Sequence, residues 1–300
     1  MINGVINVYK EKGYTSHDVV ARLRGILKQK KIGHTGTLDP EAEGVLPVCL
    51  GNGTKLCDML TDKRKEYVAE FLFGITTDTQ DMTGTVLSEN VVDITQEAAV
   101  EAIMSFLGEY DQIPPMYSAC KVNGKRLYEL AREGKEVERK ARRITIYELE
   151  ILSMDLPEVK IRVLCSKGTY IRTLCHDIGQ KLGCGAAMKT LLRTQVERFS
   201  LAQAKKLSEI EELAKNGEAE KIVTTVEEMF SELPSITVKE AFKGAVQNGN
   251  PLFLRQIVGK TGWVDGEQVR VYDPDKKFYG IYAFQVMKGN FKPVKMFLEG

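Results

Sequence analysis

Gly33-His34-Thr35-Gly36-Thr37-Leu38-Asp39-Pro40-Glu41-Ala42-Glu43-Gly44-Val45-Leu46-Pro47 places one imidazole, a proline-flanked carboxylate and three glycines within a single short segment. The stretch is too irregular to be read as a helix or a strand. It reads as a constrained loop, and such loops commonly exist to hold a side chain still. Asp39 is the side chain best suited to that role, because Pro40 biases its backbone toward an extended conformation. The flanking glycines permit tight turns and the close approach of another backbone. On these residues alone, a turn using Gly, Thr, Asp and Pro for ordinary reasons stays open.

Working outward, Gly4 to Tyr9 reads as a strand, and Thr15-Ser16 offers an N-cap. The helix that follows carries Val19, Val20, Leu23, Ile26 and Leu27 on one face. Lys28, Lys30 and Lys31 fall in its predicted last turn, where cations suit the helix dipole, and Gly33 is expected to stop it. Further along, Tyr67 to Phe73 reads as a strand, and Thr95 caps a helix reaching about Gly108. Arg126 to Arg132 reads as a short basic helix, and Ile144–Leu152 and Val159–Cys165 as paired strands. Tyr170 to Leu182 has helical spacing. The alternation lacks βαβ repeats, and Gly51-Asn52-Gly53-Thr54-Lys55 matches neither dinucleotide nor P-loop patterns. An α+β fold with a mostly antiparallel sheet is expected.

Three hundred residues, 43% of them apolar, suffice for two cores. Net charge is +1, yet the charges are segregated. Residues 121–143 carry nine Lys/Arg against four acids, and residues 160–193 carry seven against one. Such clustering can build a phosphate-attracting face on a neutral protein; solvated helix faces are the competing reading. Six cysteines without paired or zinc-type spacing read as thiols in a reducing compartment, and no metal is expected. With no signal-like start and no membrane-length apolar run, a cytoplasmic protein is expected. Residues 205–232 turn acidic and Leu233-Pro234-Ser235 reads as a linker. Beyond it, alternation at Glu267–Tyr272 and Phe278–Tyr282 around an Asp273-Pro274-Asp275 turn describes a small all-β unit. The expected division is 1–232 and 235–300.

The motif segment, with Gly51-Asn52-Gly53-Thr54-Lys55, resembles the catalytic signature of TruB-type tRNA pseudouridine synthases. Lys65-Glu66-Tyr67, Gly74 to Asp81, Pro114 to Ala119 and Lys167-Gly168-Thr169-Tyr170-Ile171-Arg172 match in order. The resemblance implies the pseudouridine synthase fold and, more loosely, a C-terminal PUA-like RNA-binding domain. It implies isomerisation of the uridine at position 55 in the tRNA T arm, with Asp39 as catalytic carboxylate. Tyr67 matches the tyrosine that stacks on the flipped base, Tyr170 a second active-site tyrosine, and Arg172 the partner of the aspartate. His34 matches a residue that helps open the RNA, and Leu191 an apolar pocket wall, Leu192 being the adjacent register. Residues 114–143 resemble a flexible RNA-clasping insertion, in which Lys121, Arg126, Arg142 and Arg143 would meet phosphates. No cofactor, no obligate protein partner and a monomer are implied. A tRNA-binding folding helper, for which turnover is secondary, is the alternative; a glycosidase lacks a second carboxylate at a defined distance.

Overall fold

The computed structural model describes residues 1–61, 63–122, 124–259 and 262–298. The elements that frame the motif segment are β1 (Gly4–Lys10), α1 (Ser16–Ile26), β2 (Ile32–His34), β3 (Glu43–Leu50) and β4 (Lys65–Phe73). They are followed by α2 (Gln96–Met104), β5 (Gly108–Gln112), α3 (Leu127–Arg132), β6 (Arg142–Asp155), β7 (Glu158–Cys165), α4 (Ile171–Lys181) and β8 (Ala186–Val196). The main sheet runs Val223–Thr224, β1, β3, β8, β4, β7, β6, β5. Its pairings are antiparallel except where β8 meets β3, with Leu192 opposite Glu43 and Arg193 opposite Gly44.

Strict alternation explains why β4 lies at the centre. Lys65, Tyr67, Ala69, Phe71 and Phe73 point to one buried face, while Glu66, Val68, Glu70 and Leu72 point to the other. Phe71 and Phe73 pack with Ala99 and Ile103 of α2 and with Ile171, Leu174, Cys175 and Ile178 of α4. Each such large side chain contributes about 1.5–3 kcal/mol on burial. On the β1–β3 part of the sheet, Val19, Val20 and Leu23 of α1 cover Ile6, Val8, Leu46 and Val48.

One edge of β3 is shared. Its first two residues pair with β8, and Val48, Cys49 and Leu50 pair with β2. The loop 35–42 therefore leaves the sheet and returns to it at the point where β8 joins. Gly44 makes that junction possible. Its φ is +106°, and a Cβ there would stand 2.2 Å from the Arg193 carbonyl oxygen.

The C-terminal strands β9 (Ser235–Val238), β10 (Gln268–Tyr272), β11 (Phe278–Gln285) and β12 (Asn290–Met296) belong to a separate six-stranded sheet with its own core around Trp263, Tyr282 and Phe291. Phe278, Ile281 and Phe297 join Val5, Val45 and Cys49 in a shared apolar cluster, so this unit packs on the main sheet. Arg270 donates from its backbone to Pro234 O and from Nε to Leu233 O, which pins the expected linker.

Several local expectations need correction. α1 stops at Ile26 with Leu27 as its C-cap, so Lys28, Lys30 and Lys31 lie beyond the helix. Lys28 turns the chain at φ +50°, and pairing with β3 then draws Ile32, Gly33 and His34 into a strand. The ends of the motif segment are thus β-structure, and only its middle is loop. α2 ends at Met104, and Gly108 opens β5 instead of closing the helix. The C-terminal unit also holds a short helix, Lys243–Gln247.

Candidate active site

Loop 35–42 is tied down along its length. Leu38 is buried in the main core, and its N–H donates to Ser16 Oγ at 2.9 Å. Both the backbone N–H and the hydroxyl of Thr35 donate to Pro47 O. Beneath the loop lies Lys10, wholly buried, whose ammonium donates to Pro40 O at 3.0 Å, Ala42 O at 2.6 Å and Glu11 O at 3.2 Å. Burial pulls that ammonium down to about 8. With its carbonyls and its apolar anchor fixed in this way, the loop holds the partly exposed Asp39 in place.

The Asp39 carboxylate is clamped from one side by Arg172. Nε stands 3.0 Å from Oδ2 and Nη2 stands 3.4 Å from Oδ1. Arg172, in the first turn of α4, is itself held by every remaining donor. Nη1 bonds Thr79 O at 2.9 Å and lies 3.4 Å from Asp81 Oδ2, and Nη2 bonds Tyr117 O at 2.8 Å. Its side chain is only 6% exposed against 40% for Asp39. The guanidinium is thus a fixed fork, and the carboxylate is the end that meets solvent.

A cavity of about 510 Å³ opens beside this pair. Asp39, Tyr67, Tyr170, Arg172 and Leu191 line it, with Arg142, Arg143, Ser118 and Arg193. Leu192 is absent from the lining, as alternation along β8 requires. Tyr67 is buried, and burial raises its phenol above the ordinary value, an effect the neighbouring Arg193 charge opposes. Burial raises Tyr170 as well. Its backbone is gripped by Gln112, whose Oε1 accepts from Tyr170 N and whose Nε2 donates to Tyr170 O.

Three of the expected residues lie outside the cavity lining. His34 sits on β2, half-buried, edge-on to His17 with ring centroids 5.1 Å apart. Burial and then the charge of His17 lower its pKa, and its Nδ1 accepts from Gly36 N. Lys121 and Arg126 pair across a small hairpin, where Arg126 Nη1 donates to the Tyr128 hydroxyl. Arg142 and Arg143 stand nearer, on the rim. Arg142 donates to Cys120 Sγ at 2.7 Å, and Arg143 lies 3.3 Å from Asp111.

Lys10, Gln112, Asp81 and Arg193 contribute to the site without having been singled out from sequence. Asp81 ends the Gly74–Asp81 match and Arg193 follows Leu191 by two residues, so the signal for them was position. For Lys10 and Gln112 the only signal was a polar side chain on the inward face of a strand, since each is nearly unexposed.

Comparison with known proteins shows the family of the chain. Residues 24–171 match the TruB family pseudouridylate synthase N-terminal domain, and residues 172–231 the tRNA pseudouridylate synthase B C-terminal domain. A tRNA pseudouridine synthase B of Lachnoclostridium phytofermentans is 52% identical over 99% of this chain and 100% of that one. Another, of Alkaliphilus oremlandii, is 44% identical over 98% of this chain and 97% of that one. The chain belongs to the TruB pseudouridine synthase family. It is accordingly a tRNA pseudouridine synthase, an RNA-modifying isomerase. Its fold agrees with a chain from the structure of an H/ACA RNP bound to a substrate RNA containing 2'-deoxyuridine, with a TM-score of 0.73 and 26% identity over 99% of this chain and 85% of that one. A chain from a Cbf5-Nop10-Gar1 complex superposes with a TM-score of 0.73 at 28% identity, over 98% of this chain and 85% of that one. The architecture is the pseudouridine synthase fold followed by a PUA-like β unit. Among the described residues no helix is long and apolar enough to cross a membrane.

Proposed function

We propose that this enzyme isomerises the uridine at position 55 of the tRNA T arm, with Asp39 acting at the ribose. The observation that carries the reading is the Asp39–Arg172 pair on the wall of a cavity that also presents Tyr67, Tyr170 and Leu191. About 300–1,000 Å³ is the usual size of a small-molecule site, and the cavity falls in that range. A uridine reaches such a site only after leaving its stack. Tyr67 then offers a ring face to the flipped base, and Leu191 packs against it.

In the reaction the N1–C1′ bond opens, the base turns, and C5 bonds to C1′ before losing its proton. Positive charge gathers at C1′ as the first bond loosens, and a carboxylate held rigid there lowers the barrier. Arg172 keeps Asp39 oriented. His34, from the edge of the site, helps the RNA strand open. Arg142 and Arg143 on the rim, with Lys121 and Arg126 in the 114–143 insertion, supply phosphate contacts. We assign residues 1–232 to the catalytic unit and 235–300 to RNA binding, in a protein acting as a monomer on tRNA.

The test is release of tritium from C5-labelled tRNA. Asp39→Asn should abolish release while leaving tRNA affinity within a few-fold. Retained release would overturn the assignment of Asp39, and release from tRNA lacking a uridine at position 55 would overturn the substrate.

A further inference from the structure

Arg193 has a chemistry that none of the preceding roles uses. It is 1% exposed, faces the cavity from β8, and stands directly across the sheet from Tyr67. Its Nε donates to Val45 O at 2.6 Å, which fixes the plane of the guanidinium. Among the described residues, Nη1 and Nη2 make no hydrogen bond of ordinary geometry, although the Tyr67 hydroxyl is close enough to feel the guanidinium, and no carboxylate forms an ion pair with the side chain. Of the other buried cations of this region, Arg172 is spent on Asp39, Asp81 and two carbonyls, Lys10 on three carbonyls, and Lys65 donates to Thr61 O and Lys63 O, while the remaining cations of the lining, Arg142, Arg143 and Lys167, are exposed. A buried, uncompensated guanidinium is costly, and natural proteins seldom keep one that nothing uses. The open space beside it is the cavity itself, since Gly36, another lining residue, would carry a Cβ only 3.9 Å from Nη1.

Resting on the reading that a flipped uridine occupies this cavity, we infer that Arg193 is the cation that stabilises the departing base. When the N1–C1′ bond breaks, its electron pair remains with the uracil, which becomes an anion with charge spread over its ring nitrogen and carbonyl oxygens. The pair returns when C5 bonds to C1′, and the C5 proton leaves to restore aromatic conjugation in the product. Asp39 serves the sugar side of this exchange and, being negative, cannot serve the base. Arg193 supplies a fixed positive charge from the lining of the same cavity, at no cost in reorganisation when the bond opens.

The experiment compares single-turnover rearrangement of tRNA carrying uridine or 5-fluorouridine at the target position, read as loss of the N1-linked nucleoside in chromatographed nuclease digests, because the fluorinated base has no C5 proton to release and its C-linked product keeps fluorine and takes up water at C6. Fluorine makes the base a more stable anion, so it should replace part of what Arg193 provides. Arg193→Gln should slow the uridine substrate about 100-fold, the loss typical of removing one charge-stabilising donor. The fluorinated substrate should lose about tenfold less, with tRNA Kd within threefold of wild type. Arg193→Lys, which keeps the charge, should recover much of the rate, and it carries the comparison if the glutamine variant does not fold. Equal losses on both substrates would show that Arg193 only braces β3 against β8 and would overturn the inference. Failure of the wild type to rearrange either RNA would instead overturn the proposed function.

Discussion

Arg172 and Asp39, 133 positions apart in sequence, meet through two nitrogen–oxygen contacts of 3.0 and 3.4 Å, and the arginine is the buried partner. This asymmetry means that the arginine is held by the fold and the carboxylate is held by the arginine. Arg172→Lys keeps a positive charge and loses the fork. Turnover should fall about 100-fold with tRNA affinity nearly unchanged, as expected when an oriented charged group is lost from a reaction centre. Single-turnover kinetics checks it; a variant at wild-type rate would mean that a point charge suffices.

Lys10 should leave a signature in the pH dependence of stability. Its folded pKa of about 8 lies below the unfolded value of 10.5. Below pH 8 the ammonium is charged in both states, and the cost of burying it is fully present. Between pH 8 and 10.5 the unfolded chain still holds a proton that the folded chain has released, so stability rises with pH across that window. Relative to Lys10→Met, the wild type should gain on the order of 2 kcal/mol between pH 7.5 and 10. Urea unfolding of both proteins measures it, and a constant difference would refute the assignment.

Tyr67 separates a ring from a hydroxyl. Tyr67→Leu removes the ring face, and base–aromatic stacking is worth about 1–3 kcal/mol. Single-turnover rate should fall between about 5- and 150-fold. Tyr67→Phe should keep tRNA affinity because it keeps the ring. A leucine variant that turns over at the wild-type rate would place Tyr67 outside the base-binding surface.

Arg142 and Arg143 stand on the cavity rim, and their present partners are weak ones, a thiol and an exposed carboxylate. Replacing both with glutamine should weaken tRNA binding. It should also flatten the plot of log K against log salt by about 1.5–2, the release expected for two phosphate contacts. An unchanged slope would remove this segment from the RNA interface.

Much of the site could be read from the chain because its chemistry is local. Pro40 beside Asp39, glycines at 36 and 44, and the Tyr170–Arg172 spacing are short-range features, and each restricts the backbone within a few residues. Alternation in β4 likewise put Tyr67 on an inward face, whereas β8 was not legible as a strand and Leu191 came from the resemblance alone. The end of α1 was misread because Lys28 adopts a left-handed conformation without being glycine. Pairing of Ile32–His34 with β3, a non-local interaction, then outweighs helix propensity.

Residue types and their order determined that this chain would form an amphipathic α+β sheet with a rigid acidic loop, since periodicity and steric restriction act between near neighbours. Only the folded sheet decided that Lys10 would lie under that loop, that Gln112 would grip Tyr170, and that Arg193 would face the cavity with two unbonded nitrogens. Those relationships depend on which strands become neighbours. That choice is made by the burial of whole faces against one another, to which no single stretch of residues holds the answer.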